Sequence, residues 1–371
     1  MKIGSVTLPS PFVVAPMAGM TDTAFRRLVR RQGGCGLVVT EMVSSEGLVR
    51  GIGRTLEYAE YTEEERPVSI QIFGGDPVRM AAAAQIVEGM GADIVDVNMG
   101  CPVPKIAKHH AGCSLMREPG HAASVIEAMA KAVKIPVTVK MRAGWSDNAR
   151  NAPELARRVQ DAGAAAVTIH GRTAEQSYRG VADWELVSRV AHALTIPVFG
   201  SGDCIEPEQV VGRMATGVSG VLVGRGVLRN PWILAQAADI SAGRLPRQVT
   251  MGDRGRFLCD YIELLLNERV NEGEGFRHFA PGTTLGVGTG ISTSVARGRD
   301  RWVINKVRAL CSWYSKGLDE GSHLRSRVNS ALSLGELREI VDEFFFTAPA
   351  RPDQAAYVES VGVSGVPSLI A

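Results

Sequence analysis

From the N-terminus to about Gln236, short β-branched or apolar runs alternate with longer alanine-rich stretches of helical period. That alternation is the pattern of repeated βα units, a parallel sheet covered by helices. Eight strands are predicted: Phe12 to Ala15, Leu37 to Thr40, Val68 to Ile72, Ile94 to Asn98, Val137 to Met141, Ala166 to His170, Val198 to Gly202 and Gly220 to Gly224. Several are nearly continuous apolar runs, as strands buried on both faces require. The units recur roughly every 20 to 45 residues, compatible with a barrel of about 250 residues. Gly91-Ala92 and Gly163-Ala164 would stop helices, and the Ile-Pro pairs at Ile135-Pro136 and Ile196-Pro197 precede strands. An open doubly wound sheet would place its site at one switch point. Here chemically capable residues follow nearly every strand, so the predicted fold is a (β/α)8 TIM barrel.

Past Gln236 the pattern changes. Phe257 to Arg269, Trp302 to Trp313 and Gly335 to Phe346 carry helical spacing with no strand runs between them. The expected organisation is a catalytic barrel over residues 1–240, a smaller all-helical domain over 241–346, and a peripheral tail over 347–371. A Gly/Thr-rich stretch, Gly273 to Gly298, interrupts the helical part as a long loop or insertion. With 371 residues and 45% hydrophobic content, the chain can bury a large core and a smaller one. Its net charge of +2 is unevenly spread: Arg297 to Arg338 holds nine Lys or Arg against four acidic residues. A basic helical region suits a polyanion. The six cysteines lack the paired spacing of a zinc site or a disulfide scaffold. Neither a secretory signal nor an apolar stretch of membrane-spanning length is read, so the expectation is a cytoplasmic protein without metal, membrane or obligate protein partner.

The strand endings carry the chemistry. They read Pro16-Met17-Ala18-Gly19-Met20, Glu41, Gln71, Asn98-Met99-Gly100-Cys101-Pro102, Lys140-Met141-Arg142, His170-Gly171-Arg172, Ser201-Gly202-Asp203 and Gly224-Arg225-Gly226. Side chains at the C-terminal ends of barrel strands share one mouth, so residues far apart in sequence can meet on one ligand. The last two endings put glycines where backbone N–H groups can approach a phosphate and an arginine can neutralise it. Lys140 would lie under a cofactor ring, where a fixed cation favours an anionic reduced form. These features point to flavin mononucleotide (FMN). No Gly-x-Gly-x-x-Gly follows the first strand, so a nicotinamide would visit transiently.

Cys101 sits in a loop between a glycine and a proline. With an ordinary pKa near ~8.5 the thiol is mostly protonated at neutral pH and can donate a proton. A nucleophilic role would need a base, for which His109, His110 and His170 are candidates.

Asn98-Met99-Gly100-Cys101-Pro102 with Lys105, Ala15-Pro16-Met17-Ala18-Gly19, Lys140-Met141-Arg142, His170-Gly171-Arg172-Thr173 and Gly224-Arg225-Gly226 together resemble the tRNA-dihydrouridine synthases, particularly the bacterial B-type branch. The likeness covers Met1 to about Gln236 and resumes more weakly over Trp313 to Gly317. It implies an FMN enzyme that reduces the C5–C6 double bond of selected tRNA uridines, with NADPH, or alternatively NADH, as reductant. By matching position, Pro16, Met17 and Ala18 would line the flavin, Gln71 and Lys140 would contact its ring, and Ser201, Gly202, Asp203, Gly224 and Arg225 would hold its phosphate end. Cys101 matches the proton donor. His170 and Arg172 would contact flavin or nucleotide, Asn98 would orient the uracil, and Lys105 and Arg142 would face the tRNA. Arg308, Lys316, Arg325 and Arg327 are the expected backbone contacts. Two stretches depart from the family pattern: Ala107 to His110, and Gly273 to Gly298.

Two other readings fit parts of the sequence. One is an FMN barrel acting on a free pyrimidine, as a dihydroorotate dehydrogenase-like protein would, which needs no basic helical domain. The other is a catalytically idle tRNA-binding barrel, against which Cys101 and Lys140 argue.

Overall fold

The structure is a computed structural model that describes residues 1–107, 110–267 and 293–347, without the side chains of Arg54, Lys105 and residues 293–297. Eight strands form the barrel: β1 (Phe12–Val14), β2 (Leu37–Val39), β3 (Val68–Phe73), β4 (Ile94–Met99), β5 (Val137–Arg142), β6 (Ala166–His170), β7 (Val198–Ser201) and β8 (Gly220–Val223). Each lies within one residue of its apolar run at either end. All pair in parallel with their sequence neighbours, and β8 pairs with β1 to close the ring.

Helices α1 (Thr23–Gln32), α2 (Pro77–Gly89), α3 (Pro119–Ala132), α4 (Ala152–Asp161), α5 (Trp184–Ala193), α6 (Pro207–Met214) and α7 (Ile233–Ser241) wrap the barrel. Several starts are written locally. Asp22, Asp76 and Asp183 each accept from a backbone N–H three residues on, which satisfies a donor that the helix itself leaves free. Gly91 and Gly163, after α2 and α4, adopt φ of 82° and 104°, the left-handed region open to glycine.

The barrel interior is layered. Val13, Leu37, Ile94, Ala166, Phe199 and Leu222 pack its lower half, together with Ile3 and Leu8. Ile3 belongs to an N-terminal hairpin, Lys2–Ile3 with Val6–Thr7, that the βα pattern does not predict. Above them, at the same side-chain parity, Gln71, Asp96 and Thr138 stand in register across β3, β4 and β5, with Asn98 and Lys140 one layer higher.

Beyond the barrel lie α8 (Met251–Asn267), α9 (Thr293–Tyr314), α10 (Gly321–Ser330) and α11 (Leu334–Asp342), with a π-helical turn, Glu343–Thr347, after α11. Helix α10 is absent from the sequence reading. Thr293 to Gly298, expected as loop, begins α9, and the rest of that expected insertion lies outside the described residues, as do Lys108, His109 and residues 348–371. One continuous cluster of buried side chains runs from the barrel helices through Phe257 and Tyr261 to Val303, Tyr314 and Leu324. Phe257 is its hinge piece, within 6.2 Å of Phe25, 5.5 Å of Trp232 and 5.7 Å of Tyr314 between ring centroids. Among the described residues no helix is long and apolar enough to cross a membrane.

Candidate active site

Cys101 leaves β4 in a loop that is tied down on several sides. Asn98 Oδ1 accepts from the N–H groups of Gly100 (3.1 Å) and Cys101 (2.9 Å), a side-chain-closed turn. Arg142 Nε donates to the Gly100 carbonyl at 2.8 Å, and the Cys113 N–H donates to the Cys101 carbonyl at 3.1 Å. Burial pushes the Cys101 thiol above its ordinary value, by more than the Val103 N–H, Arg142 and Lys140 pull it down. Such a thiol is protonated at neutral pH, which suits a donor rather than a nucleophile. His110 turns to Glu118 at 3.7 Å, and His109 lies outside the described residues.

A cavity of about 550 Å³ opens beside the thiol, large enough for a tricyclic ring or a nucleobase. Pro16, Met17 and Ala18 form one wall, Gln71, Asn98 and Lys140 rise from the interior, and Arg142, His170 and Arg225 close it. Burial and the neighbouring Arg142 lower Lys140 to about 8, against the pull of Asp96 and Cys101. His170 is held well below its ordinary value by burial and by Lys140, Arg142, Arg172 and Arg225, so its imidazole is neutral. Its Nε2 is buried without a hydrogen-bond partner.

A side recess of about 90 Å³ joins this cavity at Lys140 and His170 and is lined by Ser201, Gly202, Asp203, Gly224 and Arg225. Gly202 adopts φ +129°, and a Cβ there would meet Ala182 Cβ at 2.6 Å. A Cβ on Gly224 would stand 3.5 Å from Met17 Sδ, filling the cradle's floor. The Asp203 carboxylate, at the edge of the recess, accepts from Arg172 Nη2 at 2.7 Å and from the Ala182 N–H at 2.7 Å, with Arg225 at 3.6 Å. Burial works to raise its pKa, but those partners outweigh it and hold the carboxyl below its ordinary value.

Other expected site residues are engaged elsewhere. Arg172, only 3% exposed, does not line the cavity; it donates to the Arg179 and Gly180 carbonyls and to Asp203. Asn98 spends its oxygen on the Cys101 loop and its nitrogen on Gln71 at 2.8 Å. Arg308 holds the Val328 and Ala331 carbonyls at the end of α10, Arg325 donates to Ser315 Oγ, and Arg327 pairs with Glu343. Lys316 lies 3.7 Å above the ring of Trp313, which itself lines the cavity from the helical side. The Lys105 side chain lies outside the described residues.

Three groups were invisible to a reading of strand endings. Tyr178, 61% exposed, stands at the mouth with Arg225 over its ring at 4.9 Å, but it sits eight positions beyond β6. Trp313 enters from α9. Asp96 and Thr138 lie one layer below the rim, where strand parity with Asn98 and Lys140 is the only signal.

Fold and site together define a closed βα-barrel protein with its polar groups gathered at the C-terminal mouth, the arrangement of barrel enzymes. The profile of the family described as Dihydrouridine synthase (Dus) matches residues 13–284. The chain belongs to the dihydrouridine synthase family. The probable tRNA-dihydrouridine synthase of Rickettsia conorii is 33% identical over 348 residues, 93% of this chain and 96% of its own. That of Rhodobacter capsulatus is 41% identical over 271 residues, 72% of this chain and 83% of its own. The tRNA-dihydrouridine synthase B of Xanthomonas campestris pv. campestris is 40% identical over 243 residues, 65% of this chain and 73% of its own. Among solved structures, histamine dehydrogenase from Rhizobium sp. 4-9 superposes with a TM-score of 0.51 at 13% identity, over 71% of this chain and 50% of that one, a likeness of fold alone.

Proposed function

We propose that this chain is a tRNA-dihydrouridine synthase that reduces the C5–C6 double bond of selected uridines in tRNA. The observation that carries the reading is the meeting, around one cavity, of a protonated thiol, a deep lysine and a cation-lined recess. The residues fit FMN. The unpartnered His170 Nε2 waits for a polar ligand atom, and Gly224, without a side chain, leaves room beside Arg225 for a phosphate. FMN bound there, reduced by NADPH, supplies the hydride to C6. Lys140, Gln71 and His170 would hold the ring, and Pro16, Met17 and Ala18 would cover one side of it.

Cys101 then gives its proton to uracil C5. Its carbonyl and N–H are both bonded, so the loop presents Sγ to the cavity from a fixed backbone. A stacked uridine cannot reach this depth, so the base must be extruded into the cavity. Trp313 and Lys316, at the helical edge of the mouth, offer a ring and a cation to the strand that stays outside. Phosphate contacts of this kind grip without reading sequence and weaken with salt. A tRNA substrate implies work in the cytoplasm.

Purified protein loaded with FMN is expected to show a flavin spectrum and to oxidise NADPH with unmodified tRNA, leaving dihydrouridine in the product. A colourless protein after loading would end the cofactor assignment. Turnover on free pyrimidines but not on tRNA would end the substrate assignment and favour the dihydroorotate dehydrogenase-like alternative.

A further inference from the structure

A chain of hydrogen bonds descends from the Cys101 loop into the barrel. Asn98 Oδ1 accepts from the Cys101 N–H, and Asn98 Nδ2 donates to Gln71 Oε1 at 2.8 Å. Gln71 Nε2 donates to Asp96 Oδ2 at 2.7 Å, and Asp96 Oδ1 accepts from Thr138 Oγ1 at 2.6 Å. Gln71, Asp96 and Asn98 are 1%, 5% and 8% exposed, so water has little access to replace a lost partner.

The chain has a direction, and it is held at both ends. A side-chain amide keeps its shape when turned over, exchanging donor for acceptor, so each takes its orientation from its partners: Asn98 from the Gly100 and Cys101 N–H groups above it, Gln71 from Asp96 below. Asp96 has no N–H. Its Oδ2 can only accept from Gln71 when ionised, and a proton carried on Oδ1 toward Thr138 leaves that unchanged. Gln71 is therefore held nitrogen-down and oxygen-up, the orientation that accepts from Asn98 and so supports the one the loop N–H groups impose. Turned over, Asn98 would aim N–H groups at the N–H groups of Gly100 and Cys101, and the loop would lose both ties.

We infer that Asp96 is a positioning residue that steadies the Cys101 loop by anchoring the lower end of the Gln71–Asn98 amide chain. The inference rests on the reading of Cys101 as the proton donor to uracil. A rival role for the same carboxylate is charge support of Lys140, which Asp96 pulls upward.

Two substitutions separate the roles. Asp96→Asn keeps an acceptor for Gln71 and can donate to Thr138 Oγ1, but carries no charge. Asp96→Leu removes the acceptor. In the full-length protein, the rate at which iodoacetamide alkylates Cys101, read by peptide mass spectrometry, should change about fivefold or more in Asp96→Leu and stay within about twofold in Asp96→Asn, because only the first frees the loop. Dihydrouridine formation, measured at saturating FMN, should fall about 100-fold in Asp96→Leu and no more than about threefold in Asp96→Asn. Equal damage in the two variants would assign Asp96 to Lys140 instead. An undisturbed Asp96→Leu would mean that the amides are held by something else. Should Asp96→Leu not fold, Gln71→Met cuts the same chain one step higher and must alter Cys101 alkylation alike. If wild-type protein makes no dihydrouridine, the functional reading fails while the alkylation comparison still decides the role of Asp96.

Discussion

Lys306 of α9 lies 3.0 Å from Asp22, the residue whose side chain caps α1 on the barrel. Asp22 also accepts from the Tyr261 hydroxyl at 2.8 Å, and Lys306 reaches the Gly19 carbonyl at 3.1 Å and Glu41 at 3.6 Å. The helical part is thus fastened to the first barrel loop, the one that supplies Met17 and Ala18 to the cavity. Burial pulls the Lys306 pKa down, but Asp22 and Glu41 raise it further, so its folded value lies above the ordinary 10.5. Lys306→Met is expected to lower unfolding free energy by about 1 to 2 kcal/mol, between an exposed and a fully buried pair. With the folded pKa raised, that contribution is whole below the unfolded value and is lost as pH rises through the folded one. Urea unfolding should give the same difference at pH 6 and pH 9.

Cys101→Ala is expected to keep FMN and its reduction by NADPH while dihydrouridine formation drops by about 10²- to 10⁴-fold, the usual worth of a positioned acid. Because the thiol titrates above its ordinary value, the wild-type rate should not fall with Cys101 ionisation until the pH exceeds that range. Loss of flavin in the variant would make Cys101 structural.

Lys140 is a cation whose charge is within easy reach of titration, at about 8. FMN affinity of the apoprotein, followed by quenching of flavin fluorescence, should weaken as pH rises through that value. Lys140→Met should bind FMN about tenfold more weakly at pH 7, the worth of one charge-assisted bond, and lose the pH step.

Arg172 props the mouth from behind. Arg172→Ala would leave Asp203 without its closest cation and free the Gly180 carbonyl, and should cost about 2 kcal/mol, less than a fully buried pair because Asp203 is 26% exposed. The Asp203 pKa is depressed, so this contribution is present above the unfolded carboxyl value and is lost as pH falls through the folded one. Chemical unfolding at pH 7 and pH 3 should show the gap between variant and wild type closing in acid.

The strands were legible because burial on both faces writes each as an apolar run, such as Val137-Thr138-Val139 or Gly220-Val221-Leu222-Val223. The rim was legible because barrel geometry turns strand endings into neighbours, which brought Pro16, Gln71, Lys140, His170 and Arg225 to one cavity. The partners of Arg172 and Asn98 were not legible, since whether a polar group faces a ligand or its own chain depends on a few ångströms that no spacing encodes. The same holds for Arg308 and Arg325, whose charge suggested an exposed grip and whose guanidinium groups hold α10 and Ser315 instead. Helix α10 is weakly written because Gly321-Ser322-His323 opens it without a side-chain cap and only Leu324 and Val328 mark its buried face as apolar.

The N-terminal hairpin lodges Ile3 and Leu8 against the lower barrel layer. A well stoppered at its foot is entered from its mouth. Nicotinamide and uridine, if both must reach the same depth, take turns there, so steady-state rates measured against each at fixed levels of the other should give parallel double-reciprocal lines. Excess tRNA should then slow the enzyme by keeping the mouth occupied.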